Sequence, residues 1–386
     1  MSKKIGILLL ALVMIASMFV ACGKPAEAPA PTEAPAVETE APAVETEAPA
    51  EPAAEEVFVG VTMPTKSLQR WNEDGANVKA ALEAEGYKVD VQYADNKQDV
   101  QNSQIENQIT MGCKLLVIAS IDGGALGGVL EQAKAANIPV IAYDRLITNT
   151  DKCDYYATFD NYGVGKMQGE YIEKALGLKD GAKGPFTIEC FGGDPGDNNA
   201  KLFNQGAMDV LQQYIDSKVL VVKSGQVAFP DQIAITAWDS KNAQDRMDNL
   251  LTGFYADENI DAVLSPNDSL AQGIVASLKA AGYGTEEKPY PIITGQDCDK
   301  ISVGQIIRGE QSMSIFKDTR VLAQQVIAMA KAILAGSEVP VNAEYDNGVM
   351  KVPSFNCEIQ FADKSNWKAL LVDSGYYKLS DIPDAE

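Results

Sequence analysis

The chain has 386 residues and a formal net charge of −22, and it contains no histidine. So large a negative charge repels phosphate backbones and anionic lipid headgroups, which argues against nucleic-acid binding and electrostatic membrane docking. The lack of histidine excludes Ser-His-Asp and Cys-His catalysis, histidine-ligated metals and the usual side chain for proton transfer near neutral pH. At roughly 150 residues per domain, the length allows two or three folded units.

The first 22 residues have the composition of a secretory signal. Lys3 and Lys4 precede an apolar run at 5–20, which is followed by Ala21 and Cys22. The run is shorter than the ~20 residues that cross a bilayer, and its flanks are those of a signal peptide. The Val-Ala-Cys-Gly ending resembles a bacterial lipoprotein signal, which implies that Cys22 is lipidated and becomes the mature N-terminus. A plain signal peptide with an incidental cysteine is the alternative.

Residues 23–56 are predicted to be a tether between this signal and the folded body. The unit Ala-Pro-Ala-Val-Glu-Thr-Glu occurs at 34–40 and again at 41–47. Proline and glutamate recur without large apolar residues, so the segment has nothing to bury and many charges that repel one another. We therefore expect an extended, disordered spacer, about 3.1 Å per residue where it is polyproline-like.

No cofactor and no metal site are expected. Five cysteines follow Cys22, and an odd number leaves at least one thiol unpaired in the monomer. They show no C-x-x-C spacing, and several lie in apolar runs, which is typical of small buried side chains. The sequence also has no calcium-loop spacing, and the glycines at 123–128 lack the order of a nucleotide-binding loop.

From Val57 onward, short β-branched runs alternate with helical patterns. The runs with strand character are 57–63, 89–94, 115–120, 139–143, 155–159, 186–191, 219–222, 262–264, 292–294 and 312–316. The helix candidates include 78–85, 100–111, 163–176, 199–215, 241–255, 269–281 and 319–335. This alternation predicts an α/β fold with parallel sheets covered on both faces. Because so many strands exceed one comfortable sheet, we predict two doubly wound lobes with about five strands each.

Polar side chains and tryptophans follow nearly every predicted strand. In the first half they are Lys66, Arg70, Trp71, Asp122, Asp144, Arg145, Asp160 and Asn161. In the second half they are Asp194, Asp197, Asn198, Asn199, Gln226, Trp238, Asp239, Asn267, Asp268, Gln296, Asp297, Lys317 and Asp318. Open parallel sheets bind ligands beyond the carboxyl ends of their strands. Two such edges facing each other predict a polar cleft.

The residue types in this cleft fit a monosaccharide. Carboxylates accept hydrogen bonds from sugar hydroxyls, and Arg, Lys and Asn donate to them. Trp71 and Trp238 can supply flat apolar surfaces for the C–H faces of a pyranose. An amino acid or a small carboxylate fits the same residues, so the residue types alone leave the ligand open.

A series of short motifs gives the sequence a family resemblance. The motifs are MPTK at 63–66, RW at 70–71, QIEN at 104–107, VIAS at 117–120, AYDR at 142–145, FDN at 159–161, GGDPGDNN at 192–199, GQD at 295–297 and FKD at 316–318. In this order they resemble the periplasmic multiple-sugar-binding and xylose-binding proteins of ABC importers, over essentially residues 57–380. The resemblance implies the type I periplasmic-binding architecture, with two lobes that close around one monosaccharide and deliver it to a membrane permease.

The resemblance also implies lobe boundaries and site residues. It joins the lobes by three crossovers near Asp160, Lys317 and Gly348, so that 57–160 and 318–347 form one lobe and 161–317 and 348–386 the other. The residues implied to bind sugar hydroxyls are Arg70, Asp144, Arg145, Asn199, Asn267, Asp297 and Lys317, with Lys66 and Asp197 as companions. Trp71 and Trp238 are implied to stack on the sugar, although the stretch 227–236 before Trp238 departs from the family pattern.

The predicted function is binding without catalysis. The expected ligand is a neutral pentose or hexose of the xylose, glucose, galactose or arabinose class, and ligand selects the closed state of the lobes. We expect a lipid-anchored monomer on the outer face of the cell membrane.

Two alternative functions stay open. One is a receptor that signals to a chemoreceptor or sensor kinase, and the other is a glycoside-acting enzyme that uses facing aspartates. A sugar-responsive transcription regulator is disfavoured, because an acidic tether stands where its basic DNA-binding motif would be.

Overall fold

The protein is described by a computed structural model, which covers residues 56–385. The predictions for the signal, for lipidation at Cys22 and for the tether lie outside these residues. None of the helices between residues 56 and 385 is both long and apolar enough to cross a membrane.

Strands and helices alternate through most of the chain. The strands are β1 (Phe58–Met63), β2 (Lys88–Tyr93), β3 (Leu115–Ile118), β4 (Val140–Tyr143), β5 (Tyr155–Phe159), β6 (Phe186–Cys190), β7 (Leu220–Val221), β8 (Ala262–Leu264), β9 (Ile292–Ile293), β10 (Met313–Phe316), β11 (Ala343–Asp346), β12 (Lys351–Cys357) and β13 (Gln360–Asp363). The α-helices are α1 (Gln69–Ala84), α2 (Gln98–Thr110), α3 (Gly127–Ala135), α4 (Asn161–Ala175), α5 (Asn198–Asp216), α6 (Ser240–Phe254), α7 (Asp268–Ala280), α8 (Lys300–Arg308) and α9 (Thr319–Ala335).

The first lobe is built on a seven-stranded sheet with the order β11-β12-β5-β4-β3-β1-β2. All neighbouring strands in it are parallel except β11 and β12, which form an antiparallel pair. Strands β1, β3 and β4 are buried on both faces, as expected for central strands of a parallel sheet. One face packs against α1 and α9 and the other against α2 and α3, so the core of this lobe lies in two layers.

The second lobe is built on the parallel sheet β7-β6-β8-β9. Strand β10 adjoins this sheet through a single bridge between Gln296 and Ile315, and it pairs antiparallel with β13. Helices α4 and α5 pack closely because glycines lie at their contact: a Cβ at Gly165 would be 1.8 Å from the carbonyl oxygen of Phe203. The predicted α/β class with parallel sheets is confirmed.

The structure corrects the predicted lobe boundary near Gly348. Strand β12 pairs in parallel with β5, so the chain stays in the first sheet until Cys357 and reaches the second lobe only at β13. Gly348, with φ of 92°, instead lies in the turn of the β11–β12 hairpin. These two strands give the first sheet seven strands rather than the five predicted. Their mixed polar sequences, AEYD and KVPSFNC, lack the β-branched runs that indicate a strand.

The five cysteines in the described part of the chain are unpaired and buried: Cys113, Cys153, Cys190, Cys298 and Cys357. Burial raises the pKa of each thiol above its ordinary value. These side chains therefore behave as small buried hydrophobic groups rather than as reactive thiolates.

Candidate functional site

A small cavity lies between the two lobes, where strands of both sheets end. About 300 Å³ of space free of atoms lies between the lining residues, and part of it is open to solvent. The residues that line it are Leu68, Arg70, Trp71, Asp144, Arg145, Asp197, Asn199, Phe203, Trp238, Asn267, Gln296, Asp297 and Lys317. The structure thus brings together every residue predicted for the sugar site except Lys66.

Arg70 stands at the centre of the charged groups in the cavity. It lies in the first turn of α1, where its guanidinium forms an i,i+4 ion pair with Asp74 at 2.8 Å. The same group lies 3.1 Å from the Asp144 carboxylate and 3.4 Å from that of Asp297. Arg70 therefore connects carboxylates of the first lobe to one of the second lobe, while Asp74 holds it in place from behind.

Asp144 and Arg145 follow β4 directly. Asp144 has φ of 59°, and its carbonyl oxygen accepts hydrogen bonds from Tyr156, Thr158 and the Asn199 amide. This unusual backbone conformation is held by three donors, and it turns the carboxylate toward Arg70. Burial alone would raise the pKa of Asp144. The positive charges of Arg70, Lys317 and Arg145, of which Arg70 contributes most, hold that pKa below its ordinary value. The carboxylate is therefore ionised at neutral pH.

Helix α5 presents Asp197 and Asn199 at its N-terminus. Asp197 is the N-cap and accepts the Asn199 backbone N–H, and its other carboxylate oxygen lies 2.9 Å from the Nε of Arg145. The Asn199 side chain donates to the Asp144 carbonyl at 2.8 Å. Burial raises the pKa of Asp197, with Arg145 opposing the rise. These contacts connect the two lobes on one side of the cavity.

Trp238 reaches the cavity from an irregular segment just before α6. Ala237 and Trp238 both have positive φ values, 59° and 54°, and the Trp238 carbonyl accepts a hydrogen bond from Ser269. The Asp194 carboxylate accepts the Ala237 N–H, which fixes the turn. The indole ring lies against Gly193, where a Cβ would come within 1.9 Å of the ring. A residue without a side chain is therefore required at position 193.

Three aromatic side chains, those of Trp71, Phe203 and Trp238, form the apolar walls of the cavity. The guanidinium carbons of Arg70 and Arg145 lie 4.5 Å and 5.0 Å from the Trp71 ring centroid, which is within cation–π range. Trp238 meets Phe203 edge to face at 6.2 Å. Trp71 thus also positions the two arginines, in addition to the stacking role predicted for it.

The cations and carboxylates of the cavity balance each other. Lys317 follows β10 and lies 3.3 Å from Asp297 and 3.7 Å from Asp144. Together with Arg70 and Arg145 it provides three positive charges, and the lining carboxylates Asp144, Asp197 and Asp297 provide three negative ones. The ligand that such a cavity accommodates at least electrostatic cost is a neutral one.

Several buried polar atoms around the cavity have no hydrogen-bond partner among the described residues. They are Trp71 Nε1, Trp238 Nε1 and Gln296 Oε1. Buried polar groups are nearly always hydrogen-bonded, so donors and acceptors left open around one cavity indicate a polar ligand. A ligand that both donates and accepts at several points satisfies this set.

Lys66, which was also predicted for the site, does not line this cavity. Its side chain is exposed, and its ammonium group lies 4.8 Å above the Tyr93 ring rather than at the cavity. The reason is local: Lys66 lies in the loop between β1 and α1, and the side chain extends over β2 on the outside of the sheet.

Three lining residues were not predicted as site residues: Leu68, Phe203 and Gln296. Phe203 lies one helical turn after Asn199 on α5, a spacing that places both side chains on one face. Gln296 directly precedes Asp297 after a strand, and this position could have predicted it as a site residue. Leu68 carries no sequence signal, since an apolar residue before a helix usually indicates core packing.

Comparison with known proteins identifies the family of the chain. Residues 59–338 match the periplasmic binding protein domain. The multiple sugar-binding periplasmic receptor ChvE of Rhizobium radiobacter is 52% identical over 332 residues, which cover 86% of this chain and 93% of that protein. The D-xylose-binding periplasmic protein of Escherichia coli (strain K12) is 34% identical over 329 residues, which cover 85% and 93%.

Among solved structures, an ABC transporter solute-binding protein from Clostridium phytofermentans with bound β-D-glucose is similar with a TM-score of 0.81. It shares 56% identity, and the match covers 84% of this chain and 99% of that one. The chain therefore belongs to the periplasmic binding protein family. The predicted type I periplasmic-binding fold is confirmed.

Proposed function

We propose that this protein is the substrate-binding component of an ABC sugar importer and that it binds one neutral monosaccharide in the cavity between its lobes. The observation that carries the proposal is the set of unpartnered buried donors and acceptors around a charge-balanced cavity with two indole rings. A pyranose offers hydroxyls that donate and accept, and C–H faces that pack on aromatic rings. The binding residues would be the lining residues given above, without Lys66.

The ligand class is supported by the relatives and by the charge balance. One relative is named for multiple sugars and another for D-xylose, and a similar solved structure holds β-D-glucose. Micromolar affinity requires ~8 kcal/mol, which a few charge-assisted hydrogen bonds of ~1.5–3 kcal/mol each can supply together with ring packing.

Calorimetric titration of D-xylose, D-glucose, D-galactose, L-arabinose and D-galacturonate tests the proposal. We expect at least one neutral sugar to bind at low-micromolar affinity or better, with one site per chain. Galacturonate should bind at least roughly tenfold more weakly than galactose, because its carboxylate adds an unbalanced charge to the cavity. If no neutral sugar binds, or if the uronate binds best, the proposed ligand class is wrong.

We also propose that the protein does not catalyse glycoside hydrolysis. Each carboxylate that lines the cavity has a cationic partner: Asp144 and Asp297 pair with Arg70 and Lys317, and Asp197 pairs with Arg145. A general acid needs a proton at neutral pH. Against the effect of burial, Arg70 and Lys317 hold the pKa of Asp144 below its ordinary value, so this carboxyl does not carry one. Turnover of aryl glycosides or disaccharides by the purified protein would contradict this assignment.

The proposed location is the outer face of the cell membrane, with a lipid on Cys22 and residues 23–56 as the tether. Membership of the periplasmic binding protein family supports an extracytoplasmic location, and the Val-Ala-Cys-Gly sequence supports lipidation. Replacing Cys22 by serine should release the protein from the membrane fraction of expressing cells. Unchanged membrane association of that variant would argue against the lipid anchor.

A role as a sugar receptor in chemotaxis or signalling is the second candidate. It is favoured by one observation, that the relative from Rhizobium radiobacter is named a receptor. The same closed state would serve a permease and a sensor. Deleting the gene and measuring sugar uptake and sugar-directed swimming separately would distinguish the two roles.

A further inference from the structure

Gln296 is a cavity residue whose side chain differs from the charged groups around it. It is 3% exposed, and its Oε1 is buried without a hydrogen-bond partner among the described residues. The amide oxygens of the other two lining carboxamides are engaged. Asn199 Oδ1 accepts from Asn161, and Asn267 Oδ1 accepts the Leu270 N–H that begins α7. Gln296 therefore provides a neutral acceptor at the cavity that nothing in the described structure satisfies.

The backbone around Gln296 is fixed from both sides. Its carbonyl accepts the Asp268 N–H at 3.0 Å, and the next residue, Asp297, donates its N–H to Ile315 at 2.8 Å. A parallel bridge joins Gln296 itself to Ile315. These backbone hydrogen bonds therefore prevent residue 296 from moving its main chain to adjust the side chain to different ligands.

The orientation of the amide is also determined. Gln296 Nε2 lies 3.4 Å from the Pro266 carbonyl oxygen, toward which it donates. Rotating the amide by half a turn would bring Oε1 against that oxygen, and two acceptors repel each other. The acceptor is thus held in one direction before any ligand binds.

A missing sugar hydroxyl has different consequences at Gln296 and at the carboxylates. Asp144 and Asp297 keep Arg70 and Lys317 as partners whether or not a hydroxyl is present. Gln296 Oε1 has no such partner, so a ligand without the matching hydroxyl leaves it buried and unsatisfied. A site built to bond a hydroxyl rejects the analogue that lacks it for this reason.

We propose that Gln296 is a specificity-determining residue that accepts a hydrogen bond from one hydroxyl of the bound sugar and makes that hydroxyl indispensable. The inference rests on the proposed function, since it needs a sugar in this cavity. It adds to that function the residue that sets the strictest requirement on the ligand.

Calorimetry with D-glucose and each of its monodeoxy forms tests the inference, using the wild-type protein and Gln296→Met. In the wild type, one monodeoxy form should bind roughly tenfold to a hundredfold more weakly than D-glucose because of the unsatisfied acceptor. In Gln296→Met that particular ratio should shrink to within about threefold, because the acceptor is gone, while the ratios for the other positions persist. Gln296→Leu provides a second variant with the same expectation.

Gln305→Met is the matched control. Gln305 lies on α8 outside the cavity, is also buried, and also has an unpartnered Oε1. This variant should leave every ratio unchanged. If Gln296→Met weakens all sugars equally, or leaves the pattern of ratios intact, the specificity role is wrong although the proposed function stands. If the wild type binds neither D-glucose nor any other neutral sugar of the panel, the proposed function fails and this inference fails with it.

Discussion

Replacing Arg70 by methionine is expected to weaken sugar binding by roughly a thousandfold or more. Arg70 lines the cavity and forms ion pairs with Asp74, Asp144 and Asp297. The variant loses charge-assisted hydrogen bonds to the ligand, worth ~1.5–3 kcal/mol each. It also leaves buried carboxylates short of a partner, which costs ~3–5 kcal/mol when one member of a buried pair is removed. The cost of the unpaired carboxylates lowers the stability of the fold, whereas the loss of about two hydrogen bonds to the ligand, at ~1.4 kcal/mol per tenfold change, accounts for the expected loss of affinity.

The same substitution is expected to change the protonation of two carboxyls that contact Arg70, those of Asp144 and Asp74. Arg70 is the largest cause that lowers the pKa of Asp144 against the effect of burial. Burial raises the pKa of Asp74 to about 6, and Arg70 is the main group that opposes this rise. Without Arg70 the pKa of both carboxyls should increase, and Asp74 should be largely protonated at neutral pH.

Titration calorimetry with D-glucose and D-xylose measures the affinity of this variant, and thermal unfolding measures its stability. Lys79→Met is the control, because Lys79 lies on the same helix but is exposed, and its ammonium group contacts Glu83 and the Val89 carbonyl oxygen at the surface. We expect the control to bind as the wild type does, since exposed pairs contribute little. A folded Arg70→Met protein that binds within tenfold of the wild type would remove Arg70 from the site.

Replacing Gly193 by alanine is expected to weaken binding by about a hundredfold, although Gly193 is not among the residues that line the cavity. A Cβ at this position would lie 1.9 Å from Cη2 of Trp238 and 2.2 Å from Cζ2. The indole must then move, and residues 237 and 238 are held by Asp194 and Ser269. Overpacking of this kind costs ~1–3 kcal/mol. A displaced indole would either occupy the cavity or lose its contact with the sugar.

Gly253→Ala is the control for this experiment. Gly253 lies in α6 of the same lobe, and a Cβ there would meet no atom within 4 Å. This variant should bind normally and should be slightly more stable, because alanine favours the helix. If Gly193→Ala binds sugar as tightly as the wild type, Trp238 does not contribute to the binding face.

Much of the fold was predictable because its strands are buried on both faces. Continuous β-branched runs identify β1, β3 and β4, and the helical pattern of α9 identifies its full length. The hairpin β11–β12 was missed because its strands alternate exposed and more buried residues and include charged side chains instead of a β-branched run. Helix α3 was missed as well, since its start lies within the glycine-rich stretch that was considered as a nucleotide loop.

Most of the candidate site was predictable because charged residues cluster at the carboxyl ends of strands. Asp144, Arg145, Asp297 and Lys317 all follow strands, and the fold brings them to one cavity. Lys66 shows the limit of this argument, because position after a strand does not determine the direction of a long side chain. The supporting role of Asp74 also needed the structure, since a carboxylate in the middle of a helix more often faces solvent.

A crystal structure of the protein with the tightest-binding neutral sugar tests the central claim most directly. We predict one sugar per chain, within about 3.2 Å of polar atoms of Arg70, Arg145 and Asp297. An indole ring of Trp71 or Trp238 should pack against a C–H face of that sugar. A sugar bound at any other surface, with these residues untouched, would contradict the account.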